Sequence, residues 1–294
     1  MNDKKLGTLI GLAIGDAMGA PYEFMNKNVY TPTKKYARGG WHNIDLGEYT
    51  DDTSMALCLA NSLIECKEFD AYNQMQKYSQ WYKNGYMSTR KYCFDIGNAT
   101  RNSIDDFILN DVAYSNVTRD NESGNGSIMR LAPIPIYYDN YEEMINYAYL
   151  SSRVTHKSDE SANSCIILAS IIYNCYKYVD KITILENVVI SNDSIKYILE
   201  EYHESILNGY LDIIPTGYCV DTLNCAIKGF LYFDTFIDGL MYVISLGEDT
   251  DTVGAVYGQI AGAYYGLSQI PNYYKQNLMN YNMIFDIANK LIFK

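Results

Sequence analysis

Apolar residues recur at three- and four-residue intervals along nearly the whole chain, and no stretch of useful length alternates apolar with polar. Helices are therefore expected over 4–20, 54–65, 70–84, from 98 to about 109, and over 158–178, 182–206, 223–233, 234–245 and 272–293. The pattern predicts an all-α fold, a single compact multi-helix domain over 1–294, with no convincing linker or internal repeat. Within 70–84, Tyr72, Met75, Tyr78, Trp81 and Tyr82 fall at helical spacing and read as core. The Asn- and Asp-rich run 110–126 reads as a surface loop.

Glycine interrupts the apolar pattern regularly. Gly7, Gly11, Gly15 and Gly19 line one face of the first helix, and Gly254, Gly258, Gly262 and Gly266 form a second strip near the C-terminal end. Each costs about 1 kcal/mol relative to Ala inside a helix, so a strip of them needs a close contact in return. Two central helices touching along these strips, or each meeting another helix closely, is the structural expectation. The stretch 4–20 also looks superficially like a secretory leader, with Lys4 and Lys5 before an apolar run. Asp16 and the glycine spacing argue against that, and the run is too short to span a bilayer.

Two helix starts carry unusual chemistry. Glu48-Tyr49-Thr50-Asp51-Asp52-Thr53 and Leu246-Gly247-Glu248-Asp249-Thr250-Asp251-Thr252 each place carboxylates and hydroxyls just before an apolar run. Either alone reads as a helix cap. Together they suggest one two-metal site, because such oxygens suit hard cations such as Mg²⁺ or Mn²⁺. If Asp51, Asp52, Asp249 and Asp251 converge, each pair at about 4 Å repels by about 4 kcal/mol at an effective dielectric of about 20, a cost that cations would remove.

Other candidates are weaker when taken singly. Glu23 follows Pro21 in a loop, where a lone glutamate is ordinarily solvated. Gly124-Asn125-Gly126-Ser127 could let backbone N–H groups approach a phosphate, with a following helix start adding its dipole, or could be a plain turn. His156 stands before a helix, and Tyr218 beside Gly217 could stack on a base or simply be buried.

Composition narrows the partners. A net charge of -12 over 294 residues, without a Lys/Arg cluster, argues against nucleic acid or an anionic membrane. Seven scattered cysteines without a C-x-x-C pair read as reduced thiols of a cytoplasmic protein. The 30 tyrosines reflect biased composition and point to no mechanism.

Five separated motifs, in order, then form a recognisable set: Gly15-Asp16-Ala17-Met18-Gly19-Ala20-Pro21-Tyr22-Glu23-Phe24; Thr50-Asp51-Asp52-Thr53; Asp95-Ile96-Gly97-Asn98; Gly126-Ser127-Ile128-Met129-Arg130; and Gly247-Glu248-Asp249-Thr250-Asp251-Thr252. Across almost the whole chain they resemble the ADP-ribosylglycohydrolase family. The resemblance implies two divalent cations, Mg²⁺ or Mn²⁺, held by Thr50, Asp51, Asp52, Asp249, Asp251 and Thr252, with Glu23 nearby as a catalytic group. It implies that Gly126 and Ser127 meet the ADP-ribose phosphates, that His156 contacts the ligand and that Tyr218 stacks on the adenine. Asp95, catalytic, and Asn98, substrate-binding, resemble the pair of the arginine-directed branch. An aspartate there suits the planar guanidinium of ADP-ribosylarginine. Two positions depart from the family: Glu248 replaces a frequent glycine, and Gly254 a common alanine.

The expected activity is metal-dependent removal of ADP-ribose from a modified protein side chain, most simply arginine, or from an ADP-ribose-containing small molecule. The working expectation is a monomer. Hydrolysis of serine-linked or O-acyl ADP-ribose is the enzymatic alternative, and a catalytically silent ADP-ribose-binding or structural relative the non-enzymatic one.

Overall fold

The two glycine strips face each other. In the computed structural model, which describes residues 1–116, 123–188, 196, 198–200, 203–204 and 214–294, the helices are α1 (Asn2–Gly19), α2 (Asp51–Cys66), α3 (Ala71–Asn84), α4 (Asn98–Asn110), α5 (Pro133–Tyr137), α6 (Tyr141–Arg153), α7 (Asp159–Lys177), α8 (Lys181–Glu186), α9 (Cys219–Tyr232), α10 (Phe236–Ile244), α11 (Thr250–Tyr265), α12 (Asn272–Asn277) and α13 (Tyr281–Ile292). Helices α1 and α11 run antiparallel in backbone contact. A Cβ on Gly7, Gly11 or Gly15 would overlap the carbonyl oxygen of Gly262, Gly258 or Gly254 respectively. Both helices are buried on nearly all sides, which explains their weak amphipathicity: a helix with no solvent face needs no polar one.

The remaining helices wrap this pair. Helix α11 also touches α7, α9 and α10, while α1 meets α2 and α13. One apolar cluster runs through all of these elements, and a smaller one under α3 and α4 holds Tyr78, Trp81 and Phe107. No strand occurs among the described residues, only isolated bridges. No helix among them is long and apolar enough to cross a membrane. All seven cysteines are free thiols, five of them buried.

Several boundaries differ from expectation for local reasons. Helix α2 starts at Asp51, so both aspartates occupy its first turn. Helix α9 starts at Cys219, four residues early, because the preceding backbone is pinned by Cys219 N–H donating to Ser123 O (2.9 Å). The expected helix 272–293 is two helices. Asn280 adopts the left-handed conformation (φ 57°) and Met279 N–H leaves the ladder to bond Gly47 O (2.9 Å). Tyr72 is not core: its ring is exposed and its hydroxyl donates to Asp111 (2.7 Å). In the expected loop 110–126, Asn125 is buried, and 117–122 lies outside the described residues, as does most of the expected helical stretch beyond 188. No helix follows Ser127 directly, since α5 begins only at Pro133. The anticipated dipole is therefore missing there.

Candidate active site

The open end of the α1–α11 pair is where the chemistry collects. Thr50, at the N-cap of α2, makes no cap bond with its own side chain. Asp16 of α1 does that work from across the structure. Its carboxylate accepts from Thr50 N–H (2.9 Å), Thr50 Oγ1 (2.9 Å), Thr53 N–H (3.0 Å) and Thr53 Oγ1 (2.5 Å). The bonds set the start of α2, with Asp51 and Asp52, against α1. On the opposite side Asp249 caps α11 in position, and Asn125 Nδ2 donates to its Oδ2 (2.7 Å). Direct links join the two acidic starts: Thr50 Oγ1 lies 3.3 Å from Asp251 Oδ2, and Thr252 Oγ1 donates to Asp52 Oδ2 at 3.5 Å.

Glu23 joins them by a backbone device. Phe24 N–H donates to Glu248 O (2.8 Å) and Glu248 N–H to Met25 O (2.8 Å), tying the chain after α1 to the chain before α11. Phe24 and Glu248 both take left-handed backbone angles (φ 62° and 59°). The second value explains why glycine is natural where Glu248 stands. Gly254 has the converse explanation: an alanine Cβ there would press on the Gly15 carbonyl.

A cavity of about 380 Å³ opens between these segments. Glu23, Asp51, Asp249, Asp251 and Thr252 line it, as do Asp95, Asn98, Gly126 and His156. Thr50 and Asp52 sit behind this lining, almost wholly buried. Burial, reinforced by neighbouring carboxylates, holds Asp51, Asp52 and Asp251 well above the usual range for aspartate. Burial also raises Asp249, against hydrogen bonds from Asn125 and Thr252. Glu23 is pushed up to about 10, first by burial and then by Asp95, Asp249 and Asp16. Asp16 rises only to about 6, because four hydrogen bonds from Thr50 and Thr53 offset its complete burial.

Ser127 and Tyr218 are not part of the lining. Ser127 Oγ accepts from the Cys165 thiol in the interior (3.4 Å), and the exposed Tyr218 hydroxyl donates to Glu160 (2.9 Å). The Gly124 backbone pairs with the chain around Tyr218 through Asn125 N–H to Gly217 O (3.0 Å). His156 lies against Gly126, where a Cβ would come within 3.0 Å of its ring. Burial, then the Arg130 charge, depresses its pKa to about 3, so the imidazole is neutral. Asn98, in the first turn of α4, is exposed, with Arg101 3.5 Å from its Oδ1.

Four further residues prove important. Asp16 lay inside a quoted motif but received no role, and its four bonds reach residues more than thirty positions away. Asn125 stood in the Gly124–Ser127 run, where a side chain reaching Asp249 leaves no sequence signal. Buried Arg130 braces the same run, donating to Gly126 O (2.9 Å) and Thr155 Oγ1 (2.6 Å). His42 is the most informative omission. Its Nε2 stands 2.8 Å from Asp95 Oδ1 and 3.5 Å from Glu23 Oε2, close approaches whose angles fall short of hydrogen bonds.

The donor set suits hard cations. Asp52 Oδ1, Asp251 Oδ1, Glu23 Oε2 and Asp95 Oδ2 are buried acceptors that meet no hydrogen-bond donor. Buried carboxylate oxygens left so need a proton or a positive partner. Glu23, His42 and Asp95 also offer atoms within 4.8 Å of one another, a grouping able to hold an ion.

The fold and this cleft define a mostly helical protein with a buried acidic centre. The sequence profile of the family described as ADP-ribosylglycohydrolase matches residues 1–293. The ADP-ribosylarginine hydrolase Tri1 of Pseudomonas putida (strain GB-1) is 35% identical, covering 92% of this chain and 72% of its own length. The Tri1 of Serratia proteamaculans (strain 568) is 33% identical over 99% of this chain and 79% of its own. The ADP-ribosyl-[dinitrogen reductase] glycohydrolase of Rhodospirillum rubrum is 27% identical over 92% and 89%. A solved structure, an ADP-ribosylglycohydrolase-related protein complex, superposes with a TM-score of 0.84 at 32% identity, covering 99% of this chain and 97% of that one. The chain belongs to the ADP-ribosylglycohydrolase family and is an enzyme of that kind.

Proposed function

We infer that the enzyme removes ADP-ribose from modified arginine side chains by water attack at C1″ of the terminal ribose. The observation that carries this reading is Asp95, a carboxylate at the wall of the acidic cleft with one oxygen unmatched by any donor. A guanidinium is the planar, permanently charged partner for such a group. The two Tri1 relatives, named as ADP-ribosylarginine hydrolases, support the same linkage.

Thr50, Asp51, Asp52, Asp249, Asp251 and Thr252 would hold two divalent cations, Mg²⁺ or Mn²⁺. Bound there, the cations would supply Lewis-acid stabilisation of charge and a water of lowered pKa. Glu23 would orient the attacking water and, once bound cations offset the burial and neighbouring carboxylates that raise its pKa, take its proton. Asp95 holds the leaving guanidine and steadies it as the C1″–N bond breaks through an oxocarbenium-like transition state. Asn98 borders the leaving group. Gly126, lacking a side chain, lets the diphosphate come close to backbone, and neutral His156 offers a hydrogen bond without adding charge. Ser127 contributes through its backbone in this scheme, and Tyr218 meets the adenine from the rim.

The test is release of ADP-ribose from ADP-ribosylarginine and ADP-ribosylserine peptides with Mg²⁺ or Mn²⁺. Hydrolysis of the arginine adduct, lost by at least about a hundredfold in Asp95→Ala, is the expected result. Faster turnover of the serine adduct, unaffected by that substitution, would move the assignment to serine.

A further inference from the structure

Two large aromatic side chains stand in solvent at the reaction end of the cleft. Phe24 is 57% exposed and Trp41 75% exposed, and their rings meet edge to face at 5.9 Å. Each is the immediate chain neighbour of an inward-facing group. Phe24 follows Glu23 and itself lines the cavity, while Trp41 precedes His42, whose imidazole stands against Asp95.

Their exposure is built into the backbone. Phe24 is held in a left-handed conformation, unusual for a bulky residue, by the paired bonds to the chain at Glu248. Trp41 sits at the tip of a tight turn closed by Gly39 N–H to Ile44 O (2.9 Å) and Ile44 N–H to Gly39 O (2.8 Å). That turn rests on Pro21, which leaves no room for a Cβ at Gly40, and Arg90 clamps it by donating to His42 O (2.9 Å). Anchored loops that present adjacent aromatics to water mark contact surfaces.

The position of the pair defines its occupant. Resting on the arginine reading above, the half of the substrate that leaves the cleft beside Glu23 and Asp95 is the polypeptide bearing the modified side chain. We propose that Phe24 and Trp41 form a docking platform for that polypeptide, taking an apolar residue next to the ADP-ribosylated arginine. The net charge of -12 argues against nucleic acid as the occupant.

The experiment compares three substrates with the full chain in Mg²⁺ or Mn²⁺: ADP-ribosylagmatine, an ADP-ribosylarginine peptide flanked by leucines, and the same peptide flanked by serines. Wild type is expected to favour the leucine peptide over the serine peptide by about tenfold in kcat/KM, the scale of one partly buried apolar side chain. Trp41→Ser should abolish that preference, chiefly through KM, while ADP-ribosylagmatine turnover stays within about twofold; Trp41→Phe should retain the preference. Equal use of both peptides by wild type would overturn the proposal. So would an equal loss on ADP-ribosylagmatine in Trp41→Ser, because the indole would then be supporting the site itself. Release from none of the three substrates by wild type would sink the arginine reading, and the platform with it.

Discussion

The same two helices do opposite things at their two ends. Along Gly7, Gly11 and Gly15 of α1, the contact with α11 is dry, backbone to backbone and free of charge. One turn beyond, where Gly19 meets the start of α11, Asp16, Glu23, Asp51, Asp52, Asp249 and Asp251 crowd into a buried space with three acceptor oxygens unmatched. The seam places every group where it is most stable, whereas the cleft places like charges where they are least so. Strain collects at sites that do chemistry and is sustained by packing elsewhere. The glycine seam is what lets two carboxylate-bearing helix starts be held together at all.

Substitutions in the two regions should therefore move stability in opposite directions. The largest effect belongs to the seam. Gly11→Val, read by urea unfolding, should cost about 4 kcal/mol or more, because its branched side chain drives the helices apart at the centre of the core. A loss below about 1 kcal/mol would mean that the seam gives easily.

The cleft should respond in reverse. Asp251→Asn is expected to raise stability by about 2 kcal/mol in divalent-free buffer and, with Mg²⁺ or Mn²⁺ present, to lower hydrolysis at least about a thousandfold. Its pH dependence follows from the raised pKa. A carboxyl whose folded pKa lies above its unfolded value of 3.8 favours the fold at low pH and loses that contribution as pH rises. The advantage of the Asn variant should accordingly shrink as pH falls towards 4. Adding Mg²⁺ or Mn²⁺ should raise the wild-type Tm and leave the variant nearly unmoved. A variant less stable than wild type without metal would show the acidic cluster to be a stabilising network.

The smallest effect tests the join between the regions. Glu248→Gly should stabilise by about 0.5 kcal/mol, relief of left-handed strain of about 1–2 kcal/mol being partly offset by the greater freedom of glycine in the unfolded chain. Thermal melts of matched samples would resolve it; a clear loss would mean that the Glu248 side chain holds a contact worth more than the strain.

Much of this arrangement was readable in the sequence because it is periodic or clustered. Glycine every fourth residue announced a close helix contact, since that spacing places each one on the same face. Two groups of Asp and Thr ahead of apolar runs announced helix starts rich in oxygen donors. The break at Asn280 and the outward turn of Tyr72 left no such periodic mark. Asp16 and His42 were hidden for another reason: each acts on residues far along the chain, and a lone side chain carries no spacing to read.

The sequence by itself determined most of the helices (though not α5 or α6), the strips along which two of them touch, and the inventory of carboxylates, because these follow from local periodicity and residue chemistry. Only the tertiary structure decided which carboxylates share a cavity, that Asp16 rather than Thr50 caps α2, that His42 approaches Asp95, and that Ser127 and Tyr218 stand outside the lining. Those outcomes depend on the relative placement of segments tens to hundreds of residues apart, which is set by the packing of the whole core and by no local pattern.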